Sequence, residues 1–443
     1  MHEKFHYKTL DDITDKLTEL RCTLPLSENS RTLCSPLSLQ NHTIHNRIAI
    51  QPMEGCDGTP DGKPDELTVR RYRRFAKSGA GLIWLEATAI VPEGRANPRQ
   101  LMISPENLDS FKRLTDMIKT ESIKANGFEP FIVCQLTHSG RYSKLNGVPE
   151  PLIAYNNPLF EKDGPIDQNR IVTDGYLQFL EEKYGLAASL CEQAGFDGAD
   201  IKACHRYLIS ELLSAYNREG FYGGSFENRT RLLRNAVKNA QEHISKDFVI
   251  TCRLNSYDGF PYPYGFGVNQ GNGLAPDLTE PVRLVRFLHD KLNMPLIDLT
   301  IGNPYVNPHV NRPYDNGGYT PDEHPLIGVA RMFSCIKAVK EACPGIRIIS
   351  SGHSYLRQFS ANLAAGAVEQ GISDMAGFGR QAFAYPDFAR ELLRSQRLDP
   401  QKCCITCGKC TELMRAGSVA GCVVRDSEVY LPIYKEKIME AKK

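Results

Sequence analysis

The chain has 443 residues, with 53 Lys and Arg against 52 Asp and Glu, and a formal net charge of +1. A neutral chain lacks the field that gathers polyanions, so nucleic-acid binding and docking on an anionic membrane are disfavoured. Hydrophobic residues at 41% and charged residues at 24% suit a chain that folds around a full core and exclude intrinsic disorder. No apolar run approaches the roughly 20 residues of a bilayer span. The charged N-terminus, MHEKFHYKTLDDITDKL, has no apolar segment of the secretory kind. A cytoplasmic protein is expected.

Residues 1–33 read as a polar extension with Leu10, Ile13, Leu17 and Leu20 at helical spacing. From residue 34 one unit recurs: a short strand-like run, a turn rich in Gly or polar residues, then an amphipathic helix. Eight such runs are expected as strands, at 47–53, 81–88, 131–136, 198–203, 248–254, 296–301, 346–351 and 372–378. Between them Val69, Tyr72, Phe75 and Ala76, and again Leu356, Phe359, Leu363 and Ala367, turn one apolar stripe toward a sheet. This alternation predicts an α/β fold, a (β/α)8 TIM barrel over 34–398, with a doubly wound sheet as the weaker alternative. The long inserts 141–174 and 255–279 follow strand C-termini, the face on which such barrels assemble their sites.

The 14 cysteines are unevenly placed. Nine are scattered from Cys22 to Cys343, whereas Cys403, Cys404, Cys407, Cys410 and Cys422 fall within 20 residues. A disulfide framework would spread along the chain, so the cluster points to a metal-binding tail over 399–443. The pattern Cys404-x2-Cys407-x2-Cys410-x11-Cys422 offers three closely spaced thiolates and a distant fourth, which suits a 4Fe-4S cluster. Zinc, usually held by two separated Cys-x2-Cys pairs, is the competing occupant.

Several separated stretches carry a family resemblance: CSPLSLQNHTIHNRIAIQPM, LEATAIVPEGR, QLTHSGR and KACHRYLISELLSAYNREGFYGGSFENRTR. Together they resemble the old yellow enzyme family of FMN-dependent ene-reductases over residues 34–426, and the clustered cysteines resemble its iron-sulfur branch. The resemblance implies that Pro52, Met53 and Ala87 line the flavin ring, that the Gln135 amide pairs with its pyrimidine edge, and that Arg253 stands near N1 and O2. It implies a phosphate site at Ser351, Gly352, Gly379 and Arg380. Tyr207 matches the proton donor, and His205 and Lys202 match the two positions that bind the activating carbonyl, with Lys202 where His is common. Arg206 replaces a usual Gly and is expected to add a cation beside the pocket. Glu54 stands where relatives carry Cys or Thr near flavin O4 and N5, and His138 is expected to orient loops.

The implied function is hydride transfer from reduced FMN to the activated C=C bond of a small molecule, such as an enoate, enone or steroid. Electrons would come through the 4Fe-4S cluster from a ferredoxin, flavodoxin or flavin reductase, or directly from NAD(P)H. Relatives with FAD and NADPH domains beyond the cluster are longer, and no such domain is expected here. A homo-oligomer stays open. Two other readings are an amine dehydrogenase or demethylase of the trimethylamine dehydrogenase type, with an aromatic cage at Tyr262, Tyr264 and Tyr305, and a non-catalytic electron-transfer subunit.

Overall fold

The computed structural model describes residues 3–315 and 319–440. Residues 1–2 and 441–443, the outermost parts of the two expected end segments, lie outside it. Among the described residues no helix is long and apolar enough to cross a membrane.

A hairpin, β1 (Leu37–Leu39) and β2 (His42–Ile44), leads into β3 (Ile48–Ile50), β4 (Leu82–Ala89), β5 (Phe131–Thr137), β6 (Gly198–Ile201), β7 (Val249–Asn255), β8 (Leu296–Thr300), β9 (Arg347–Ser350) and β10 (Met375–Phe378). Strands β3 to β10 pair in parallel in chain order, and β10 pairs back onto β3 to close a barrel. Closure removes the doubly wound alternative. Strands β4, β5 and β7 are buried along their whole length, as expected of strands with side chains inside a barrel and helices outside.

Every expected strand is present, with shifted ends. β3 stops at Ile50 rather than at residue 53, since Pro52 has no N–H to extend the ladder. The last strand begins at Met375 rather than at residue 372. The expected stripe beginning at Leu356 also starts late. Leu356 lies in a 3-10 segment, His353–Phe359, in which Arg357 takes φ +47°, and the regular helix is Ser360–Glu369.

The N-terminal helix Leu10–Glu19 is capped by Thr9, whose hydroxyl accepts from the Asp12 N–H while the Asp12 carboxylate accepts from the Thr9 N–H. This reciprocal cap satisfies donors that the first turn otherwise leaves free, and the helix buries Ile13 and Leu17 in the main core.

The cysteine-rich tail folds back onto the C-terminal ends of the strands. Its Ala420 N–H donates to the Gly55 carbonyl at 2.6 Å, and its Cys404 N–H donates to Gln381 Oε1 at 2.9 Å. Asp426 accepts from Arg70 at 2.8 Å and from Arg74. Cys403 and Ala420 join the main core, while Leu413, Val419, Val423, Tyr430 and Tyr434 make a small core of their own.

Candidate active site

Asp200, near the end of β6, anchors one end of the site. Its carboxylate accepts from Gln135 Nε2 at 2.6 Å, Trp84 Nε1 at 3.1 Å and the Arg253 N–H at 2.7 Å. Arg253 then pairs through Nε with Asp298 at 2.9 Å and reaches the Pro52 carbonyl at 3.4 Å. Gln51 Nε2 spans Asp298 at 2.8 Å and Ser351 Oγ at 2.6 Å. A carboxamide on β5 and a guanidinium on β7, the strands on either side of β6, are thus held by buried carboxylates.

Burial pushes the Asp200 carboxyl up to about 7. A carboxyl that keeps its proton more tightly when folded adds stability below the ordinary Asp range near 3.9, and that stability is lost as pH rises through about 7. Asp200→Asn is therefore expected to flatten the pH dependence of stability between about pH 4 and 7. Urea titrations across that window check this, and a slope unchanged from wild type would count against a protonated Asp200.

Above these groups lies a cleft with about 1100 Å³ of empty space, part of it open to solvent. Pro52, Met53, Gln135 and Arg253 border one part, and Ser351, Gly352, Gly379 and Arg380 border another. The glycines are needed for close approach. Gly352 takes φ +90°, and a Cβ there would sit 2.4 Å from Met332 Sδ; one on Gly379 would sit 2.9 Å from Met53 Sδ. Such backbone lets an anion approach the chain. Among the described residues Arg380 forms no ion pair. The donor set fits a flavin mononucleotide: a carboxamide and fixed guanidinium for the ring edge, and exposed backbone with an unpaired guanidinium for the phosphate.

The turn after β6 carries the residues expected to react. His205 and Arg206 take φ +62° and +65°, a region costly for side-chain-bearing residues. Tyr207 then returns to extended backbone as the N-cap of the helix Leu208–Leu213. The Tyr207 hydroxyl donates to Glu54 Oε1 at 2.9 Å and lies 3.4 Å from the Tyr305 hydroxyl. Lys202 Nζ is 3.5 Å from Glu54 Oε1 and 3.5 Å from the Tyr207 ring centroid. His205 Nε2 is 3.2 Å from Asn311 Nδ2. Burial, reinforced by Glu54, pushes the Tyr207 phenol well above its usual range. Burial, reinforced by Arg253 and Lys202, pushes His205 well below its own, so a neutral imidazole and a protonated phenol face one space. Burial also lowers the Lys202 ammonium.

Three expectations need correction. Arg206 adds no charge to the cleft, because the strained turn sends it into the protein. There it donates to Tyr155 Oη at 2.7 Å and the Tyr264 carbonyl at 3.0 Å, and lies 3.8 Å from Asp258. Ala87 does not border the cleft; it sits where the β4–β5 register breaks between Leu85 and Thr88. The three tyrosines of the supposed cage do not meet. Tyr305 stacks on Tyr142 at 4.0 Å beside the cleft, whereas Tyr262 packs on Tyr216 at 5.0 Å and Tyr264 serves Arg206. His138 has an orienting place, accepting from the Gly140 N–H at 3.0 Å and meeting Tyr176 Oη at 2.9 Å.

The tail contributes residues that the sequence alone did not place at the cleft: Cys410, Thr411, Met414, Arg415 and Ala420. Asn311 and Arg312, from the loop after β8, also border it. Beside the cleft, Cys404, Cys407, Cys410 and Cys422 all border one smaller cavity of about 380 Å³. Its loop turns through Thr406 and Gly408 at φ +52° and +76°. The Thr406 N–H donates to Cys404 Sγ at 3.4 Å and the Arg425 N–H to Cys422 Sγ at 3.3 Å. Among the described residues no three His, Cys, Asp or Glu side chains converge on a single-ion site. The thiols instead ring a void, a donor set and spacing that fit a sulfur-ligated cluster. Cys403 lies outside this ring and accepts from Gln381 Nε2 at 3.4 Å. Cys410 and Arg380 border both the cavity and the cleft.

The sequence profile of the NADH:flavin oxidoreductase / NADH oxidase family matches residues 32–264. An NADPH dehydrogenase of Halalkalibacterium halodurans is 36% identical over 214 residues, covering 47% of this chain and 59% of that protein. One from Bacillus subtilis is 32% identical over 221 residues, covering 48% and 61%. The chain thus spans about three-fifths of the length of these curated relatives. Among solved structures, a 2-naphthoyl-CoA reductase complex superposes with TM-score 0.72 at 20% identity, covering 92% of this chain and 58% of that one. An old yellow enzyme homologue from Zymomonas mobilis superposes with TM-score 0.62 at 22% identity, covering 84% and 94%. With the barrel, the strand-end cleft and a profile match over more than half its length, this chain belongs to the NADH:flavin oxidoreductase / NADH oxidase family, that of old yellow enzyme.

Proposed function

We propose that the protein is an FMN-dependent ene-reductase. The observation that carries this is the meeting of a protonated Tyr207, a neutral His205 and the Lys202 ammonium over one strand-end cleft. FMN, held by Gln135, Arg253 and the Met53 backbone at its ring and by Ser351, Gly352, Gly379 and Arg380 at its phosphate, would supply the hydride. His205 and Lys202 hold the oxygen that activates the alkene, and their positive or donor character stabilises charge developing on it. Tyr207 holds a proton on its phenol oxygen and delivers it to the α-carbon. Lys202, against the Tyr207 ring, stabilises the phenolate left behind.

The segment 399–443 serves as the cluster-binding tail in this reading. Cys404, Cys407, Cys410 and Cys422 would hold a 4Fe-4S cluster, which supplies one-electron transfer. NAD(P)H, or a separate redox protein such as a ferredoxin, flavodoxin or flavin reductase, would be the donor; NADPH is the reductant in the names of the bacterial relatives. Amine oxidation is disfavoured by charge. The cleft is bordered by Lys202, Arg253, Arg312, Arg380 and Arg415 against the single carboxylate Glu54, a field that repels a cationic amine.

Anaerobic purification with flavin, iron, sulfide and zinc analysis tests the reading, followed by a panel of enones, enoates, thioesters and amines with NADH, NADPH or reduced viologen as donors. FMN, iron, sulfide and alkene turnover are expected; absence of flavin and iron together overturns it. Cys407→Ala is expected to lose most of its iron and sulfide while retaining FMN. Unchanged iron content would remove Cys407 from the ligand set.

A further inference from the structure

Buried guanidiniums elsewhere in the chain are matched by acceptors. Arg71 meets Asp57 and Glu86, Arg141 meets Glu161 and Glu211, Arg229 meets Glu280, and Arg253 meets Asp298. Arg95 has no carboxylate but donates to the carbonyls of Thr59, Pro60, Pro98 and Gln100. Arg312, half-buried on the cleft wall, departs from this pattern. It donates to the Thr411 hydroxyl, and among the described residues no carboxylate lies within ion-pair distance of it. Burial, and then the like charges of Arg380 and Arg415, oppose its own charge, and the nearby Cys410 thiol offsets only part of this.

Arg415, on the tail helix Lys409–Arg415, is exposed at the rim of the same cleft and, among the described residues, donates only to the Pro304 carbonyl, at 2.6 Å. Crowding guanidiniums with no carboxylate partner costs free energy unless an anion arrives among them, and the cysteine cavity lies on the Arg380 side of the group. The phosphate of the proposed FMN accounts for Arg380 and leaves Arg312 and Arg415. Arg312 follows Asn311, the residue that contacts His205, so an anion at Arg312 and an oxygen at His205 can belong to one molecule.

We propose that Arg312 and Arg415, with the Thr411 hydroxyl, form an anion subsite that receives a carboxylate carried by the substrate. The proposal rests on the ene-reductase reading and narrows its substrates to unsaturated acids. Guanidinium is suited to this task, since its planar fork matches a carboxylate.

The test uses the full-length protein loaded with its cofactors and a saturated acid paired with its methyl ester, each titrated calorimetrically and by the flavin absorbance shift. The acid should bind wild type at least about 10-fold more tightly than the ester, and Arg312→Met should weaken acid binding by about 30-fold or more. Ester binding, FMN content and iron content should stay within about two-fold of wild type, and Arg312→Lys should recover part of the preference. Equal binding of acid and ester by wild type, or an equal loss of both in Arg312→Met, overturns the subsite. So does loss of FMN, which would place Arg312 at the cofactor phosphate, or an altered cluster potential with the acid preference intact, which would place it at the thiolate cavity. An Arg312-dependent acid preference without turnover of any alkene would instead refute the ene-reductase reading and leave the subsite standing.

Discussion

Tyr207→Phe is expected to lower the rate of alkene reduction by about 10²–10⁴-fold, the usual contribution of a positioned proton donor. Reduction of the flavin by NAD(P)H or viologen should change by less than about two-fold, because that half-reaction does not use the phenol. The substitution removes only an oxygen, but that oxygen is the point at which Glu54, Tyr305 and the cleft meet. Stopped-flow measurement of the two half-reactions separates the effects. An equal loss in both would show that the residue shapes the pocket instead of donating. The hydrogen bond to Glu54 adds a second readout. A phenolate formed at Tyr207 would stand 2.9 Å from Glu54 Oε1, a neighbour that makes it harder to form, so Glu54→Gln should speed proton delivery at a fixed pH.

The second large effect is expected on stability. Arg71 lies buried between Asp57, at 2.5 Å and 2.9 Å, and Glu86, at 2.5 Å. Glu86 also accepts from the Gly55 N–H at 2.6 Å, and a Cβ on Gly55 would sit 2.2 Å from the guanidinium. This triad therefore pins the loop after β3, which presents Pro52, Met53 and Glu54 to the cleft and receives Ala420 from the tail. Arg71→Met leaves two buried carboxylates without a partner and is expected to cost about 3–5 kcal/mol. A triple variant that also carries Asp57→Asn and Glu86→Gln should recover part of the loss, since neutral groups need no counter-charge. Denaturant titrations measure both. A loss under about 1 kcal/mol would mean that water reaches the triad and solvates it.

The legibility of these features differs by physical cause. Barrel strands such as 131–136 and 248–254 were readable because burial on both faces demands mostly apolar runs, here interrupted by Gln135, Thr251 and Arg253. Tyr207, His205, Lys202 and Gln135 were expected together because their stretches resemble the family's, not because a local pattern marks them, and all four border the cleft. Arg206 was misplaced for the same reason. Its neighbours' positions suggested the cleft, but two successive residues at positive φ reverse the direction of one side chain between them, and no composition rule reports that reversal. Ala87 was expected at the flavin ring but sits at a register break of the β4–β5 pair between Leu85 and Thr88, which the strand's residues do not announce.

By itself the sequence determined the barrel and the existence of a thiolate-rich tail, because these follow from local periodicity and spacing. Only the tertiary structure decided that the tail is a wall of the cleft, with Cys410 and Arg380 shared between cleft and cysteine cavity, and that Arg312 and Arg415 face the same space. Those juxtapositions join residues about 100 positions apart, and only long-range packing of the tail brings them together.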